Sequence, residues 1–525
     1  MKEIKELKFE DLSVEQKLGM IHSAVVNYIP GSEHQNEFLY DRIRNHALGA
    51  IWIPSNAPYT EDFIKKVKEI ADYPILIMTD AERGFGEYRI GPRNSVGRTN
   101  DVENAYVFGK SVGVAAKKLG YDVVCSPILD VLRDGSPRSY GPDKEFVAKM
   151  AAAEARGMQD AGLMAVGKHY PGASHDLPID SHMAEAISFE TKEELVDNGF
   201  GIYKKLIDEG VLSGIMTSHH KTEKVDPVYP ASLSKITLDM IKKEGFNGFF
   251  ITDAIDMMGI RAKFGEVESK GMAVEAGNDF VLTYSLDPIG DQKIINTCYE
   301  KGIITDERLD EAVKKVLEMQ HKSLEMEKTM ITELSDEEYE RLRNIEKNAV
   351  CAKVDQGLST SISRDGKHLF VVMLRNEMNP ADVAVDTFKS NWLFPDKIEK
   401  RILELFPNSK VHFIHQMPTA RQNQLALIYA TKNEDVVFLT FSETIAYVGQ
   451  DEITKRVRTL MEAMQYTDKI SAVVHFGDPT TLSGLPHIPR YILGDTYEGS
   501  VDACLDVLAG SIEAKGKPTY DYTLN

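Results

Sequence analysis

Gly248-Phe-Phe-Ile-Thr-Asp-Ala-Ile-Asp-Met-Met258 is the stretch that decides the fold. Its opening apolar run is too short for a helix. It reads as a strand buried on both faces that delivers a carboxylate, Asp253, one residue beyond its end. Seven more short runs of this kind precede or follow it: Leu18–Ile21, Ala50–Ile53, Ile75–Met78, Val123–Pro127, Met164–Val166, Gly214–Thr217 and Phe280–Leu282. Amphipathic segments such as Glu61–Ala71 and Val102–Leu119 lie between them. Eight strands, each followed by a helix, are the count for a closed (β/α)₈ barrel, although an open doubly wound sheet has the same periodicity. Asp80, Lys168, His169, His219 and Asp253 each fall at or just beyond a strand's C-terminal end, where barrel active sites collect.

Further along, Thr305 reads as an N-cap with Asp306 and Glu307 in the first turn. Leu309, Val313, Val316 and Leu317 then mark one apolar helix face. Residues 321–362 are highly charged and lose the barrel rhythm, as a helical connector would. A second alternation starts with Leu369–Leu374 and continues through Val411–Ile414, Val436–Phe441 and Ala472–Phe476. The helical pieces Asp396–Leu405 and Glu452–Met464 separate these runs, which predicts a smaller α/β domain with a mostly parallel sheet.

Composition narrows the function classes. The 525 residues carry 61 Lys plus Arg against 81 Asp plus Glu, a formal charge of −20. Such a surface repels phosphate backbones and anionic lipid headgroups, so neither a nucleic-acid nor a membrane partner is expected. No uninterrupted apolar window of about 18 residues occurs. The N-terminus mixes charges where a secretory signal would place an apolar stretch. Cys125, Cys298, Cys351 and Cys504 are far apart and form no CxxC pair, as expected of free thiols in a reducing, cytoplasmic setting.

Two segments carry chemistry. In Lys168-His-Tyr-Pro-Gly-Ala-Ser-His-Asp-Leu-Pro-Ile-Asp-Ser-His182 a strand runs into two polar residues, a Pro-Gly turn and a loop ending in Asp180-Ser181-His182. A carboxylate two residues from an imidazole can hold its tautomer and stabilise imidazolium, tuning it for proton transfer. Taken alone, an Asp-x-His is more often a solvated loop capping nearby backbone. In the second segment, Asp253 at a strand end suits attack on an anomeric carbon or stabilisation of an oxocarbenium ion. The alternative there is a helix N-cap, a role Asp256 would fit equally well.

Together these segments resemble glycoside hydrolase family 3. The likeness continues in Ile215-Met-Thr-Ser-His219, Pro230-Ala-Ser-Leu-Ser234 and Thr252-Asp-Ala-Ile-Asp-Met257. More narrowly, they resemble its bacterial β-N-acetylglucosaminidase branch, in which an Asp-His dyad replaces the usual carboxylic acid. Leu12–Gly19 is similar to the family's opening helix, Ser126-Pro-Ile-Leu-Asp-Val131 to its fourth-strand region, Arg138-Ser-Tyr-Gly141 to its arginine turn and Ala276–Leu282 to its last barrel strand. The likeness covers about the first 320 residues. The later part resembles the family's αβα sandwich more loosely, chiefly through His475-Phe-Gly-Asp-Pro479. The expected organisation is a TIM-type catalytic barrel over 1–325, a helical connector over 326–362 and an αβα sandwich over 363–525.

The resemblance implies a retaining β-N-acetylhexosaminidase that removes terminal β-linked N-acetylglucosamine from small glycosides or cell-wall fragments. Asp253 would be the nucleophile, and His182, oriented by Asp180, the acid/base. Asp80, Arg138, Lys168 and His169 match positions that hydrogen-bond sugar hydroxyls, and no metal or other cofactor is implied. The chain departs from the pattern twice. Asp80-Ala-Glu-Arg-Gly-Phe-Gly-Glu-Tyr-Arg89 displaces the arginine that should follow, and the dyad loop is one residue longer, with an additional His175-Asp176.

Four rival readings stand beside this one, the weakest a nucleotide enzyme, since Gly84-Phe-Gly-Glu-Tyr-Arg89 follows a strand but lacks the third glycine. A histidine acid/base repels a phosphate nucleophile less than a carboxylate would, so a phosphorylase could use the same fold. A degenerate member could bind sugar without turnover. A metal-dependent hydrolase could gather His175, Asp180, His182, His219 and His220, but the sequence has no His-x-His or His-Glu-x-x-His.

Overall fold

The computed structural model describes residues 4–55, 59–88, 90, 93–131, 138–172, 181–374, 395–442, 444–445, 449–450 and 453–519. Two compact units emerge. One comprises Met1–Arg89, Ala105–Leu132 and Asp143–Glu338; the other comprises Ile90–Asn104, Arg133–Pro142 and Tyr339–Asn525.

The first unit is built on eight parallel strands: β1 (His22–Val25), β2 (Ala50–Trp52), β3 (Leu76–Thr79), β4 (Val123–Val124), β5 (Met164–Tyr170), β6 (Gly214–Thr217), β7 (Phe249–Thr252) and β8 (Val281–Thr283). They pair in chain order, and β1 pairs β8 through His22↔Val281. The remaining seam between β7 and β8 closes through an Ile251↔Phe280 bridge and the Thr252 N–H to Phe280 carbonyl bond of 3.2 Å. The sheet is therefore a closed barrel, not an open sheet. Helices such as Glu33–Arg44, Thr60–Ile70, Val102–Leu119 and Lys144–Asp160 follow the strands. Every strand residue is buried, which is why the runs read as apolar with no alternation.

The first strand lies elsewhere than its apolar run. Leu18–Met20 forms the buried end of the helix Val14–Met20, which starts at a Ser13/Gln16 capping box, and the strand begins at His22. Buried polar residues disguised it. The His22 ring bonds Gln292 Oε1 at 3.1 Å and Thr283 Oγ1 at 2.9 Å, so polar partners replace water inside the barrel.

The second unit holds a six-stranded sheet: β9 (Cys351–Val354), β10 (His368–Leu374), β11 (Lys410–His415), β12 (Asp435–Ser442), β13 (Ile470–Gly477) and β14 (Arg490–Gly494). The spatial order is β9-β14-β13-β12-β10-β11, parallel throughout except that β9 runs antiparallel to β14. The order reverses direction at β10, so right-handed crossovers send the helices Pro395–Leu405, Ala420–Ala430, Lys455–Gln465 and Glu498–Leu508 to both faces. Residues 326–362 contain the helices Asp336–Arg343 and Ile345–Asn348 as well as β9, which the sequence pattern did not suggest. The Thr305 cap forms as expected, its side chain accepting from the Arg308 N–H.

The unit also takes in chain that lies between barrel elements in sequence. In the fully buried helix Arg93–Arg98, the Arg98 guanidinium pairs with Asp495 and donates to the Ala349 carbonyl at 3.0 Å. Ser95 hydrogen-bonds the same carboxylate. Such a pair is costly to break one-sidedly, because the remaining charge would stay buried.

Two buried histidines make stability pH-dependent. Burial pulls His22 in the barrel and His475 in the second unit down to about 4 each, outweighing the Gln292 bond on the first and the Asp478 carbonyl on the second. The unfolded chain therefore binds more protons than the folded one between pH ~6.5 and ~4, and stability falls as pH drops through that window. Each ring contributes a slope of at most about 1.4 kcal/mol per pH unit. Urea unfolding at several pH values should show this decline, shallower in His475→Gln. An unchanged slope in the variant would assign the effect to other groups.

Candidate functional site

Four of the expected site residues, Asp80, Lys168, His169 and Asp253, stand at or near the C-terminal ends of barrel strands. β7 ends at Thr252, and Asp253 follows with its N–H bonded to the Thr217 carbonyl of β6 at 2.9 Å. Two residues on, the Ile255 N–H donates to the Leu282 carbonyl of β8 at 3.0 Å. The loop is thus strapped to both neighbouring strands. Asp253 Oδ1 accepts from the Ala254 N–H at 2.8 Å, and the side chain keeps 19% of its surface exposed. Asp256 instead accepts from the Tyr284 N–H at 2.7 Å and pairs with Lys270 at 3.2 Å. Neither acid caps the helix Met258–Phe264, whose N-cap is Met257 with no side-chain bond.

Lys168 and His169 are presented by a break in register. Gly167 pairs Ile215, but Tyr170 pairs Thr217, so β5 carries an extra residue against β6. A bulge of this kind re-aims side chains near a strand's end. Lys168 Nζ lies 2.6 Å from Asp80 Oδ1 and 2.8 Å from Glu82 Oε1; the lysine side chain is 3% exposed, that of Asp80 50%. His169 Nδ1 bonds Asp130 Oδ2 at 2.8 Å, while the other Asp130 oxygen accepts the His169 backbone N–H at 3.2 Å. That grip fixes the hydrogen on Nδ1 and turns Nε2 toward Asp253 Oδ2, 3.8 Å away.

Electrostatics then act on Asp253. Burial by itself would raise its carboxyl, but the charges of His169, His219, His182 and Lys168 outweigh it and hold the group down at about 2. The carboxylate is ionised at any working pH. His219 lies deeper. Its Nε2 donates to the Ala254 carbonyl at 2.8 Å and its Nδ1 faces Ser232 Oγ at 2.8 Å; burial lowers its pKa, so the ring carries charge, and acts on Asp253, only in acid. Both ring nitrogens are therefore engaged by the protein, which leaves none for a metal. One carboxylate group among the described residues has metal-like spacing: Asp256, Glu266 and Asp291. The Lys270 ammonium already lies 3.2, 3.7 and 3.2 Å from the three acids, so the cluster is a salt-bridge network.

His182 is brought to the same end of the barrel: its backbone carbonyl accepts from the Met258 N–H at 3.3 Å, five residues beyond Asp253. Asp180, His175 and Asp176 lie outside the described residues, as does Arg89. Arg138 belongs to the second unit, its carbonyl accepting from Arg93 at 3.3 Å. Two residues escaped sequence reasoning as site members: Asp130 and Glu82. Asp130 sat inside a stretch quoted for its family likeness and Glu82 inside one quoted for its departure from the pattern, and no local signal marked either acid.

Residues 13–319 match the family model for the glycosyl hydrolase family 3 N terminal domain. A β-hexosaminidase of Haemophilus influenzae is 31% identical over 242 residues, which is 43% of this chain and 68% of that protein. One from Vibrio cholerae is 32% identical over 234 residues, 42% of this chain and 68% of that one. Among solved structures, a glycoside hydrolase family 3 β-N-acetylglucosaminidase from Paenibacillus sp. superimposes with a TM-score of 0.79 at 22% identity, covering 98% of this chain and 100% of that one. A β-glucoside phosphorylase, BglX, does so with a TM-score of 0.79 at 21% identity, covering 98% and 95%. The barrel, its strand-end residues and the match over residues 13–319 together make this chain a member of glycoside hydrolase family 3, and a glycoside hydrolase.

Proposed function

We propose that the enzyme is a retaining, exo-acting β-N-acetylhexosaminidase in which Asp253 is the nucleophile and His182 the acid/base. The observation that carries this reading is the Asp253 carboxylate just beyond the end of β7, with His169 Nε2 3.8 Å from its Oδ2 and neighbouring cationic groups drawing its pKa down. A carboxylate that stays ionised down to strong acid is suited to attack carbon, and an imidazole nearby is suited to move a proton.

In the first step an Asp253 oxygen bonds to the anomeric carbon as the bond to the leaving oxygen breaks. His182 gives its proton to that oxygen. Oδ2 is the natural attacking atom, because Oδ1 is engaged by the Ala254 amide. In the second step water attacks the same carbon, its proton passes to His182, and the ester to Asp253 breaks. Two inversions leave the β configuration intact. Asp180 would orient His182. Lys168 with Asp80, and His169 backed by Asp130, would bind hydroxyls of the terminal sugar. The β-hexosaminidase relatives favour a 2-acetamido sugar, here assigned as terminal N-acetylglucosamine from small glycosides or cell-wall fragments. Four free, buried cysteines favour a reducing, cytoplasmic setting. Among the described residues no helix is long and apolar enough to cross a membrane.

A panel of aryl β-glycosides with and without the 2-acetamido group, assayed with and without phosphate, tests the reading. The expected result is about a tenfold or greater preference in kcat/KM for the acetamido substrate. The product should be free sugar released first as the β anomer. Sugar 1-phosphate accumulating with phosphate would establish phosphorolysis instead, and equal rates across the panel would remove the acetamido specificity.

A further inference from the structure

The short helix Met258–Phe264 begins five residues after Asp253 and has an unusual cap. The first N–H groups of any helix lack partners within it. Here Met257 provides no side-chain cap. The Met258 N–H donates to the His182 carbonyl at 3.3 Å and the Gly259 N–H to the Ser181 carbonyl at 3.0 Å. The segment carrying His182 therefore caps the helix that grows out of the Asp253 loop.

That loop is itself strapped to the barrel. The Thr217 and Leu282 carbonyls hold its backbone amides, and the His219 ring holds the Ala254 carbonyl. The two amide bonds therefore fix one part of the site against the other, and the approach is close. A Cβ at Gly259 would lie 2.8 Å from both the Ser181 and the Ala184 carbonyl oxygens. Both are backbone atoms, which cannot swing aside as a side chain can. Gly259 is helical and alanine is the better helix former, so its smallness serves the approach and not the helix.

We propose that Gly259 is a positioning residue for His182: the bare approach at 259, with the Met258 and Gly259 amides, sets how far the acid/base stands from Asp253. The proposal rests on the assignment of His182 as acid/base. Displacement of a proton donor by about 1 Å can cost on the order of a hundredfold in rate. The loss falls on substrates that need the proton.

Two variants test this through independent atoms. Gly259→Ala adds the obstructing carbon. Met258→Pro removes one amide at the first helical position, where proline is well tolerated, and the extended backbone of Met257 (φ −63°, ψ 144°) suits a residue before proline. For both, kcat/KM toward a β-glycoside with a poor alkyl or sugar leaving group should fall by about tenfold or more, against less than about threefold for a dinitrophenyl glycoside. A merely structural effect would lower both substrates equally by reducing the active fraction, and that result in both variants would overturn the proposal. Met258→Ala keeps the amide; a selective loss there as large as the proline variant's would move the effect to the side chain and remove the amide's role. His182→Ala run in parallel separates the two levels. If it shows leaving-group selectivity and the 258 and 259 variants do not, positioning fails alone. If it shows none, the acid/base assignment falls and the positioning proposal with it.

Discussion

Asp253→Asn should lower kcat/KM on every substrate by about 10⁴-fold or more, including aryl glycosides with excellent leaving groups. The amide oxygen can still accept from the Ala254 N–H, so the loop between β6 and β8 should hold its place. What vanishes is the negative charge that forms the bond to carbon. Asp253→Ala leaves room instead, and a small anion such as azide should restore turnover on activated substrates while giving the α-linked azide, because only one inversion then occurs. Residual activity within about tenfold of the parent enzyme would dismiss the nucleophile assignment. Normal thermal unfolding of the variant separates lost chemistry from lost folding. A related expectation concerns pH. The carboxyl sits at about 2, below its usual value of 3.8, so it stays ionised until the medium is strongly acidic. The stabilisation it receives from the surrounding histidines and Lys168 is present above pH ~4 and is lost as pH falls through about 2. An acid limb in kcat/KM between pH ~4 and ~6 therefore belongs to another group.

His182→Ala should produce the second large effect, and a selective one. Toward substrates whose leaving oxygen must be protonated, kcat/KM should fall by ~10²–10⁴-fold. Toward dinitrophenyl glycosides, whose leaving group departs as a stable anion, the loss should stay under about tenfold. The ratio kcat/KM isolates bond cleavage to the leaving group, whereas kcat also includes attack by water, for which His182 is the proposed base. Equal losses on both classes would make His182 structural.

Sequence pattern located most barrel strands to within a residue or two, because a strand buried on both faces is a short apolar run whatever its neighbours are. The pattern failed where buried groups were polar or where the partner was distant. His22 and Ser23 broke the first run, since their partners, Gln292 and Thr283 for the ring, lie far along the chain. β9 was hidden because Ala352 and Lys353 face outward on an edge strand pairing with β14, whose residues come more than a hundred positions later. Asp253, Lys168 and His169 were legible as candidates from their place at or near a strand's C-terminal end. Asp130 and Glu82 were not. Nothing local distinguishes an acid that grips an imidazole from one that faces water.

The chain by itself determined the barrel alternation, the second α/β unit and the strand-end placement of the reactive side chains. Those features follow from hydrophobic periodicity over a handful of residues, and each run carries its own signal. Closure of the barrel decided the rest: the grip of Asp130 on His169, the Lys168 pairing with Asp80 and Glu82, and the cationic surroundings that keep Asp253 ionised. Charges and hydrogen bonds act through space, at distances that exist only once β1 meets β8 and the eight strand ends share one rim.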